Sequence, residues 1–109
     1  MKKIDFSKKK CMSCEGGTKP FSRAQIRECL KDLKGWAYEK GAIVKTFPFK
    51  DYYETVSFVN AVAWIAHTED HHPDMSFGYK KCRVEYATHA IKGISENDFI
   101  CAAKVEALI

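Results

Sequence analysis

Residues 51–73 read DYYETVSFVNAVAWIAHTEDHHP, and this stretch decides the fold. Apolar residues recur along it at the three- and four-residue spacing of a helical face. We therefore predict a helix over residues 51–69. Its main apolar face holds Tyr52, Val56, Val59, Ala63 and Ala66, and a flank that widens this face toward the core holds Phe58, Val62 and Ile65.

Three of the four histidines in the chain come at the end of this helix. They are His67, His71 and His72, and the fourth, His89, follows within the next 17 residues. A histidine has an unperturbed pKa of roughly 6.5, so it can give or take a proton near neutral pH. Pro73 prevents the helix from continuing and biases His72 toward extended backbone. The pair His71-His72 therefore lies where a helix gives way to a strand, and it predicts proton-transfer chemistry or a metal site.

The segments on either side complete an α+β pattern. The other predicted elements are, in chain order, a helix over 22–35, strands over 36–39 and 43–49, strands over 75–79 and 83–88, and a helix over 99–108. Ser22 is placed as the N-cap of the first helix, and Ser95 with Asp98 has the capping spacing that precedes the last. The order α-β-β-α-β-β-α predicts an α+β fold, a four-stranded antiparallel sheet with three helices packed on one face.

The composition indicates one folded domain preceded by a basic arm. The chain has 109 residues, 46% of them hydrophobic, which is enough for one core. Its net charge of +4 comes from residues 1–10, which hold five lysines and one aspartate, so the remainder is neutral. We predict a partly flexible N-terminal basic arm over 1–20 and a single domain over 21–109. A lysine-rich arm can contact nucleic acid, but the neutral body gives no reason to expect a nucleic-acid partner.

No segment of the sequence is predicted to enter a membrane. The longest mostly apolar run, residues 55–66, is shorter than the roughly 20 residues that span a bilayer. The basic start of the chain is not followed by the apolar region of a signal peptide. We therefore expect a cytoplasmic protein without a membrane partner.

The five cysteines are Cys11, Cys14, Cys29, Cys82 and Cys101. Because their number is odd and no secretion signal is present, we expect reduced thiols. Cys11 and Cys14 form a C-x-x-C pair, as in half of a zinc site or in a redox motif. No second closely spaced pair supplies further zinc ligands, and the pair lacks the strand-to-helix context of a redox motif. Neither function is favoured by the sequence.

The histidines allow a metal interpretation that the neighbouring residues weaken. His67 and His71 have the H-x-x-x-H spacing of two ligands on one helix, with His89 as a third imidazole. However, Thr68 stands where the glutamate of an H-E-x-x-H metal motif belongs. The adjacent His71 and His72 also diverge in direction, which favours two separate roles over one shared ion. Acid–base chemistry is the preferred interpretation, and a zinc-binding domain is an alternative.

A wider set of motifs resembles one protein family. His71-His72-Pro73, followed by Tyr79, His89 and Asp98, has the spacing of the pterin-4a-carbinolamine dehydratases. The same register is kept by Gly35-Trp36, Phe47-x-Phe49-Lys50-Asp51-Tyr52, Thr88-His89 and Gly93-Ile94-Ser95-Glu96-x-Asp98. Cys11-x-x-Cys14-Glu15-Gly16-Gly17 is similar to the N-terminal arm of many microbial members. The resemblance extends from Cys11 to the C-terminus.

The resemblance implies a dehydratase of tetrahydrobiopterin recycling. Members convert 4a-hydroxytetrahydropterin, formed by aromatic amino acid hydroxylases, to quinonoid dihydropterin and water. Loss of the 4a-hydroxyl needs an acid at that oxygen and a base for the N5 proton, and no metal or redox cofactor is required. By position, His71 would be the main general acid, His72 would bind the pterin and assist proton removal at N5, and His89 would act from the other side. The residues implied to bind substrate are Asp70, Pro73, Ala87, Thr88, Ala90 and Asp98.

Two positions depart from the commonest family pattern. His67 stands where a carboxylate is frequent, and Met75 stands where an aromatic side chain is frequent. Methionine fills a similar apolar volume but stacks less specifically on a flat ring. We therefore expect a working site with an altered affinity for pterin.

The resemblance also bears on assembly. It implies a homodimer or a homotetramer. Some animal members act as dimerisation cofactors of a homeodomain transcription factor and use a helix surface for this. A transcriptional coactivator is therefore the other alternative to a dehydratase.

Overall fold

The computed structural model describes residues 5–12 and 19–109. The helices are α1 (Arg23–Leu30), α2 (Tyr52–Glu69) and α3 (Glu96–Glu106), and the strands are β1 (Ala37–Glu39), β2 (Ala42–Pro48), β3 (Asp74–Phe77) and β4 (Lys81–Tyr86). Two short 3-10 turns, Phe6–Lys8 and His89–Ile91, precede α1 and α3. The predicted order α-β-β-α-β-β-α is confirmed.

The strands form one antiparallel sheet in the spatial order β1-β2-β4-β3. In the central pair, Ile43 lies opposite Tyr86 and Phe47 lies opposite Cys82. All four side chains are buried, because alternate residues of a strand face the same side of a sheet. Both α2 and α3 contact β4. The predicted α+β class, with its four-stranded antiparallel sheet and three helices, is confirmed.

The buried face of α2 differs from the predicted main face. Its buried residues are Thr55, Phe58, Val62 and Ile65. The predicted flank is thus the core side, and the placement of Tyr52 and Ala63 toward the core was wrong, since both are exposed. Thr55 explains the difference. Its hydroxyl donates to the carbonyl oxygen of Asp51 at 2.9 Å and lies 3.1 Å from that of Tyr79, so this polar side chain is buried with its hydrogen bond made.

Capping residues set the ends of the helices more than apolar spacing does. Helix α3 begins at Glu96, three residues earlier than predicted, because Ser95 and Asp98 form a capping box. Helix α1 has the predicted N-cap, Ser22, but ends at Leu30 rather than near residue 35. Residues 31–35 turn away from the helix and include Gly35, whose φ of +87° glycine adopts without strain.

The N-terminal arm packs along α3 where it is described. Phe6 is buried and stacks on Phe99, with ring centroids 5.8 Å apart. The Lys104 ammonium donates to the carbonyl oxygen of Ser7 at 3.1 Å. Residues 1–4 and 13–18, and with them Cys14 of the C-x-x-C pair, lie outside the described residues. The partial flexibility of the arm and the single domain over 21–109 stay predictions.

Within residues 5–12 and 19–109, no helix combines the length and the apolar character that are needed to cross a membrane.

Candidate active site

The centre of the site is a histidine paired with a buried aspartate. Nε2 of His71 lies 2.6 Å from Oδ1 of Asp98, and the Asp98 side chain is completely buried. His71 is only 13% exposed. An ionised carboxylate at this distance accepts a hydrogen bond from Nε2 and compensates the charge of a protonated imidazole. We call this pair the dyad.

Asp98 is fixed by hydrogen bonds to its second oxygen. Oδ2 accepts the hydroxyl hydrogen of Thr88 at 2.8 Å and the backbone N–H of Ser95 at 2.9 Å. The hydroxyls of Ser95 and Thr88 lie 2.7 Å apart, and Ser95 Oγ accepts the N–H of Asn97. Because Thr88 and Ser95 are both buried, the carboxylate is held from three directions and can orient the histidine ring.

The end of α2 places His71 in this pair. Asp70 ends the helix in the left-handed region, with φ +51°, and the N–H of His71 then donates to the carbonyl oxygen of Ala66 at 3.2 Å. The imidazole ring stacks on Tyr86, with 6.0 Å between centroids and 10° between planes. The ring is therefore held on its face by Tyr86 and at its edge by Asp98. Nδ1 has no hydrogen-bond partner among the described residues, and His71 is one of the residues that line a cavity.

The other two predicted catalytic histidines form an exposed pair. His72 and His89 are both exposed, and their rings are stacked with centroids 6.4 Å apart. His72 follows His71 at the start of the extended segment, and His89 opens the 3-10 turn after β4. Thr88 holds the base of this turn through reciprocal backbone bonds with Gly93. Elements far apart in the sequence thus bring the two imidazoles together.

His71 of the dyad and both histidines of the exposed pair line one cavity of about 440 Å³. The predicted site residues on its wall are Asp70, His71, His72, Ala87, Thr88, His89 and Ala90. Pro73 is buried and Asp98 is completely buried, and neither is part of this wall. Asp98 lies behind His71, so it reaches a ligand through the histidine.

Sequence reasoning missed part of the cavity wall. The residues that it did not assign to the site are Lys10, Cys11, Met12, Thr68, Glu69 and Asn97. Thr68 and Glu69 belong to the last turn of α2, directly before the predicted site, and that proximity is a signal that could have included them. The residues of the arm carry no comparable signal, because only the tertiary fold brings them to the cavity.

The surroundings of two groups near the dyad raise their pKa values. Burial of Tyr86 raises the pKa of its hydroxyl well above the ordinary range. The pKa of the Cys101 thiol is also raised, first by its hydrogen bond with Cys11, whose sulfur lies 3.5 Å away, and then by burial. Both groups are therefore neutral near pH 7 and surround the Asp98 carboxylate without adding charge.

The predicted H-x-x-x-H arrangement is not a cluster of ligands. His67 is exposed and its ring lies 5.2 Å from that of Trp64, whereas His71 turns inward to Asp98. In the described part of the chain, no three histidine, cysteine, aspartate or glutamate side chains are grouped so that they could hold a metal ion. Met75 packs against the core from β3 and is not on the cavity wall.

Comparison with known proteins shows the family. The family profile of pterin 4 alpha carbinolamine dehydratase matches residues 19–108. A relative from Nitrosospira multiformis, which carries the provisional name pterin-4-alpha-carbinolamine dehydratase, is 57% identical over 104 residues, covering 95% of this chain and 92% of the relative. The chain belongs to the pterin-4-alpha-carbinolamine dehydratase family.

Solved structures agree with the fold and show more than one role among similar proteins. The structure of a transcriptional coactivator/pterin dehydratase from Brucella melitensis has a TM-score of 0.79 and 32% identity, covering 82% of this chain and 97% of that one. A pterin dehydratase-like protein identified as a RuBisCO assembly factor in the alpha-carboxysome has a TM-score of 0.60 and 25% identity, covering 70% and 90%.

Proposed function

We propose that this protein dehydrates 4a-hydroxytetrahydropterin to quinonoid dihydropterin and water by histidine general acid–base catalysis. The observation that carries the proposal is the dyad, a histidine fixed against a buried carboxylate at the wall of a cavity that also holds two exposed imidazoles. Family membership supports pterins as the substrate class. The physiological setting that fits this reaction is tetrahydrobiopterin recycling.

In this mechanism His71 is the main general acid. Asp98 accepts the Nε2 hydrogen, so a protonated His71 presents its Nδ1 hydrogen to the 4a-hydroxyl. Transfer of this proton lets the C4a–O bond break and water leave. The pairing resembles the way a buried aspartate orients the histidine of a hydrolase triad. General acid–base help of this kind is typically worth ~10²–10⁴-fold in rate.

The exposed pair completes the proton balance. Formation of the quinonoid product removes the N5 proton, for which His72 is placed to act as the base and to bind the ring. His89 is the other member of the pair, with its ring centroid 6.4 Å from that of His72. It serves the opposite 4a epimer. Solvent reaches both rings, so the proton taken from N5 can return to water and His71 can be protonated again.

The remaining wall residues bind the ring through different groups. The Thr88 hydroxyl already donates to Asp98, so Thr88 contributes to ligand binding through its backbone. Ala87 and Ala90 likewise offer backbone groups and small side chains at the wall. The exposed Asp70 carboxylate is the acidic group available to the amino-pyrimidine side of a pterin. Pro73 fixes the extended backbone that separates His72 from the dyad.

The test is the rate at which chemically generated 4a-hydroxytetrahydropterin loses its ultraviolet absorbance. The native chain is expected to accelerate this loss, and the double variant His71→Ala/His72→Ala is expected to lose the acceleration while keeping its circular dichroism spectrum. A matched control is His67→Ala, the exposed histidine on α2 that is not on the cavity wall. A folded native chain without any acceleration would refute the proposal.

Self-association as a homodimer or homotetramer is part of the same proposal. Helix α2 exposes two large aromatic side chains, Tyr53 at 81% and Trp64 at 65%. Exposed apolar groups of this size on one helix are typical of interaction surfaces. Light scattering coupled to size-exclusion chromatography measures the mass, and a monomer at micromolar concentration would contradict this part of the proposal.

A further inference from the structure

The arm segment Lys10–Met12 forms a wall of the cavity although it precedes the residues that the family profile matches. That profile covers residues 19–108, whereas Lys10, Cys11 and Met12 line the cavity together with the histidines. We call these three residues the arm wall. It is a part of the site that neither the sequence reasoning nor the family match assigns.

Two side chains hold the backbone of the arm wall. The side-chain amide of Asn97 bonds both polar groups of the Met12 main chain: Oδ1 accepts the Met12 N–H at 3.0 Å, and Nδ2 donates to the Met12 carbonyl oxygen. The Glu69 carboxylate accepts the N–H of Cys11 at 2.8 Å. Asn97 is buried and the Glu69 side chain is only 7% exposed. The position of the arm wall is thus set by specific bonds and not by loose contact.

Charge reinforces this attachment. Burial alone would raise the pKa of Glu69, but the hydrogen bond from the Cys11 N–H and the ammonium groups of Lys104 and Lys10 outweigh it, and the pKa is lowered. The Lys104 and Lys10 nitrogens lie 3.6 and 3.8 Å from Glu69 Oε2. Lys10 also donates to the carbonyl oxygen of Thr68 at 2.7 Å. Glu69 is therefore anionic at neutral pH and holds the arm wall in place.

The groups that attach the arm are direct chain neighbours of the groups that hold the dyad. Asn97 precedes Asp98 on α3, and Glu69 lies two residues before His71. The same two helix ends therefore present the dyad to the cavity and fix the arm wall beside it.

Met12 gives the arm wall a group that can contact a ligand. Met12 is one of the residues that line the cavity, and it is 78% exposed although its thioether side chain is apolar. Contact between a methionine side chain and a flat aromatic ring is energetically favourable. Most of the other residues that line the cavity are polar. We propose that Met12 packs on the face of the bound pterin and that Asn97 and Glu69 are positioning residues that hold it there.

This inference rests on the proposed function for the ligand, so its test begins with binding. Titration calorimetry with 7,8-dihydrobiopterin, a stable pterin, measures affinity without turnover. Met12→Ala is expected to weaken binding and to raise KM by roughly two- to tenfold, with kcat within twofold of native, because the contact serves binding and not the proton transfers. Met12→Leu, which keeps the volume, is expected to restore most of the affinity. The matched control is Lys8→Ala, an exposed arm residue away from the cavity.

A second readout follows the arm wall itself. Cys11 is half-buried with its sulfur against Cys101, so the rate of its alkylation by iodoacetamide, read by peptide mass spectrometry, reports how firmly the arm is attached. We expect 7,8-dihydrobiopterin to slow this reaction in the native chain and Asn97→Ala to accelerate it. Cys29, also half-buried but not at the cavity, is the internal reference.

The experiments distinguish failure of the inference about Met12 from failure of the proposed function. If the native chain binds 7,8-dihydrobiopterin and dehydrates the carbinolamine, but Met12→Ala matches native affinity and the pterin leaves Cys11 alkylation unchanged, the arm wall is not part of the site and the dehydratase proposal stands. If the native chain neither binds the pterin nor accelerates the dehydration, the proposed function falls and the role of Met12 falls with it.

Discussion

The dyad and the exposed pair both contain histidine side chains, but in opposite environments. In the dyad, His71 is 13% exposed and fixed by Asp98 at 2.6 Å. In the exposed pair, His72 and His89 face solvent and contact each other at 6.4 Å between ring centroids, without a carboxylate partner among the bonds of the described residues. In the proposed mechanism the dyad would set the orientation of one proton donor, whereas the exposed pair would exchange protons with water.

The difference between these two environments indicates which proton transfer of a dehydration needs a precisely oriented group. In the proposed reaction, departure of the hydroxyl requires a proton delivered to one oxygen from one direction, and a partnered imidazole would provide it. Removal of the N5 proton ends in solvent, so an exposed imidazole suffices. The proposed acid and base roles thus rest on the environment of each histidine and not on its residue type.

The largest effect is expected for a change of His71, the buried histidine of the dyad. His71→Ala removes the oriented donor and should lower kcat/KM for the carbinolamine by ~10²–10⁴-fold, the usual contribution of a general acid. Stopped-flow absorbance measures the rate, and circular dichroism checks the fold. A loss no greater than that of His72→Ala would remove the distinction between the two pairs.

Asp98→Asn is expected to have the next largest effect. The amide keeps the size of the carboxylate but carries no charge to compensate a protonated His71, so we expect a loss of about 10²-fold in kcat with a small change in KM. The pH–rate profile is measured alongside. A native profile with native kcat would show that the carboxylate only caps α3.

His72→Ala and His89→Ala are expected to cost less than either change in the dyad. Because solvent reaches both rings, water can take over the proton transfer in either variant. What is lost is then one exposed hydrogen bond to the substrate, worth about 0.5–1.5 kcal/mol, which is roughly two- to tenfold in kcat/KM. The two variants should also differ between separately supplied 4a epimers, with His89→Ala affecting one epimer more. Equal effects on both epimers would contradict the division of roles within the exposed pair.

Tyr86→Phe is expected to have the smallest effect, and on stability. The Tyr86 hydroxyl is buried and has no hydrogen-bond partner within the described residues, while its ring supports His71. Removing the oxygen should leave the free energy of unfolding unchanged or raise it by about 1 kcal/mol, with kcat intact. A destabilisation of more than about 1 kcal/mol in urea unfolding would mean that the hydroxyl has a partner.

The sequence predicted the elements of this comparison but not how they are paired. Periodicity and capping residues predicted every helix and strand, because these are local properties. The burial of Thr55 was missed because its partner Tyr79 lies across the fold. The resemblance named Asp98 as a substrate-binding residue, and its capping spacing was visible, but the pairing with His71 joins residues 27 positions apart. That contact exists only once α2 and α3 are packed together.

The arm wall shows the same limit more strongly. Its attachment uses the backbone of Cys11 and Met12, and backbone groups leave no trace in the residue types. The departures at His67 and Met75 are visible in the sequence, yet neither residue reaches the cavity. An effect of these two residues on pterin affinity stays a prediction.

The central claim, that His71 and Asp98 act as one unit, is tested most directly by a double-mutant cycle. kcat/KM is measured for the native chain, His71→Ala, Asp98→Asn and the double variant under the same conditions. If Asp98 acts through His71, the double variant will be no slower than His71→Ala, because the carboxylate has nothing left to orient. The account would be contradicted if the fold-loss in kcat/KM of the double variant equalled the product of the fold-losses of the two single variants, since Asp98 would then act independently of His71.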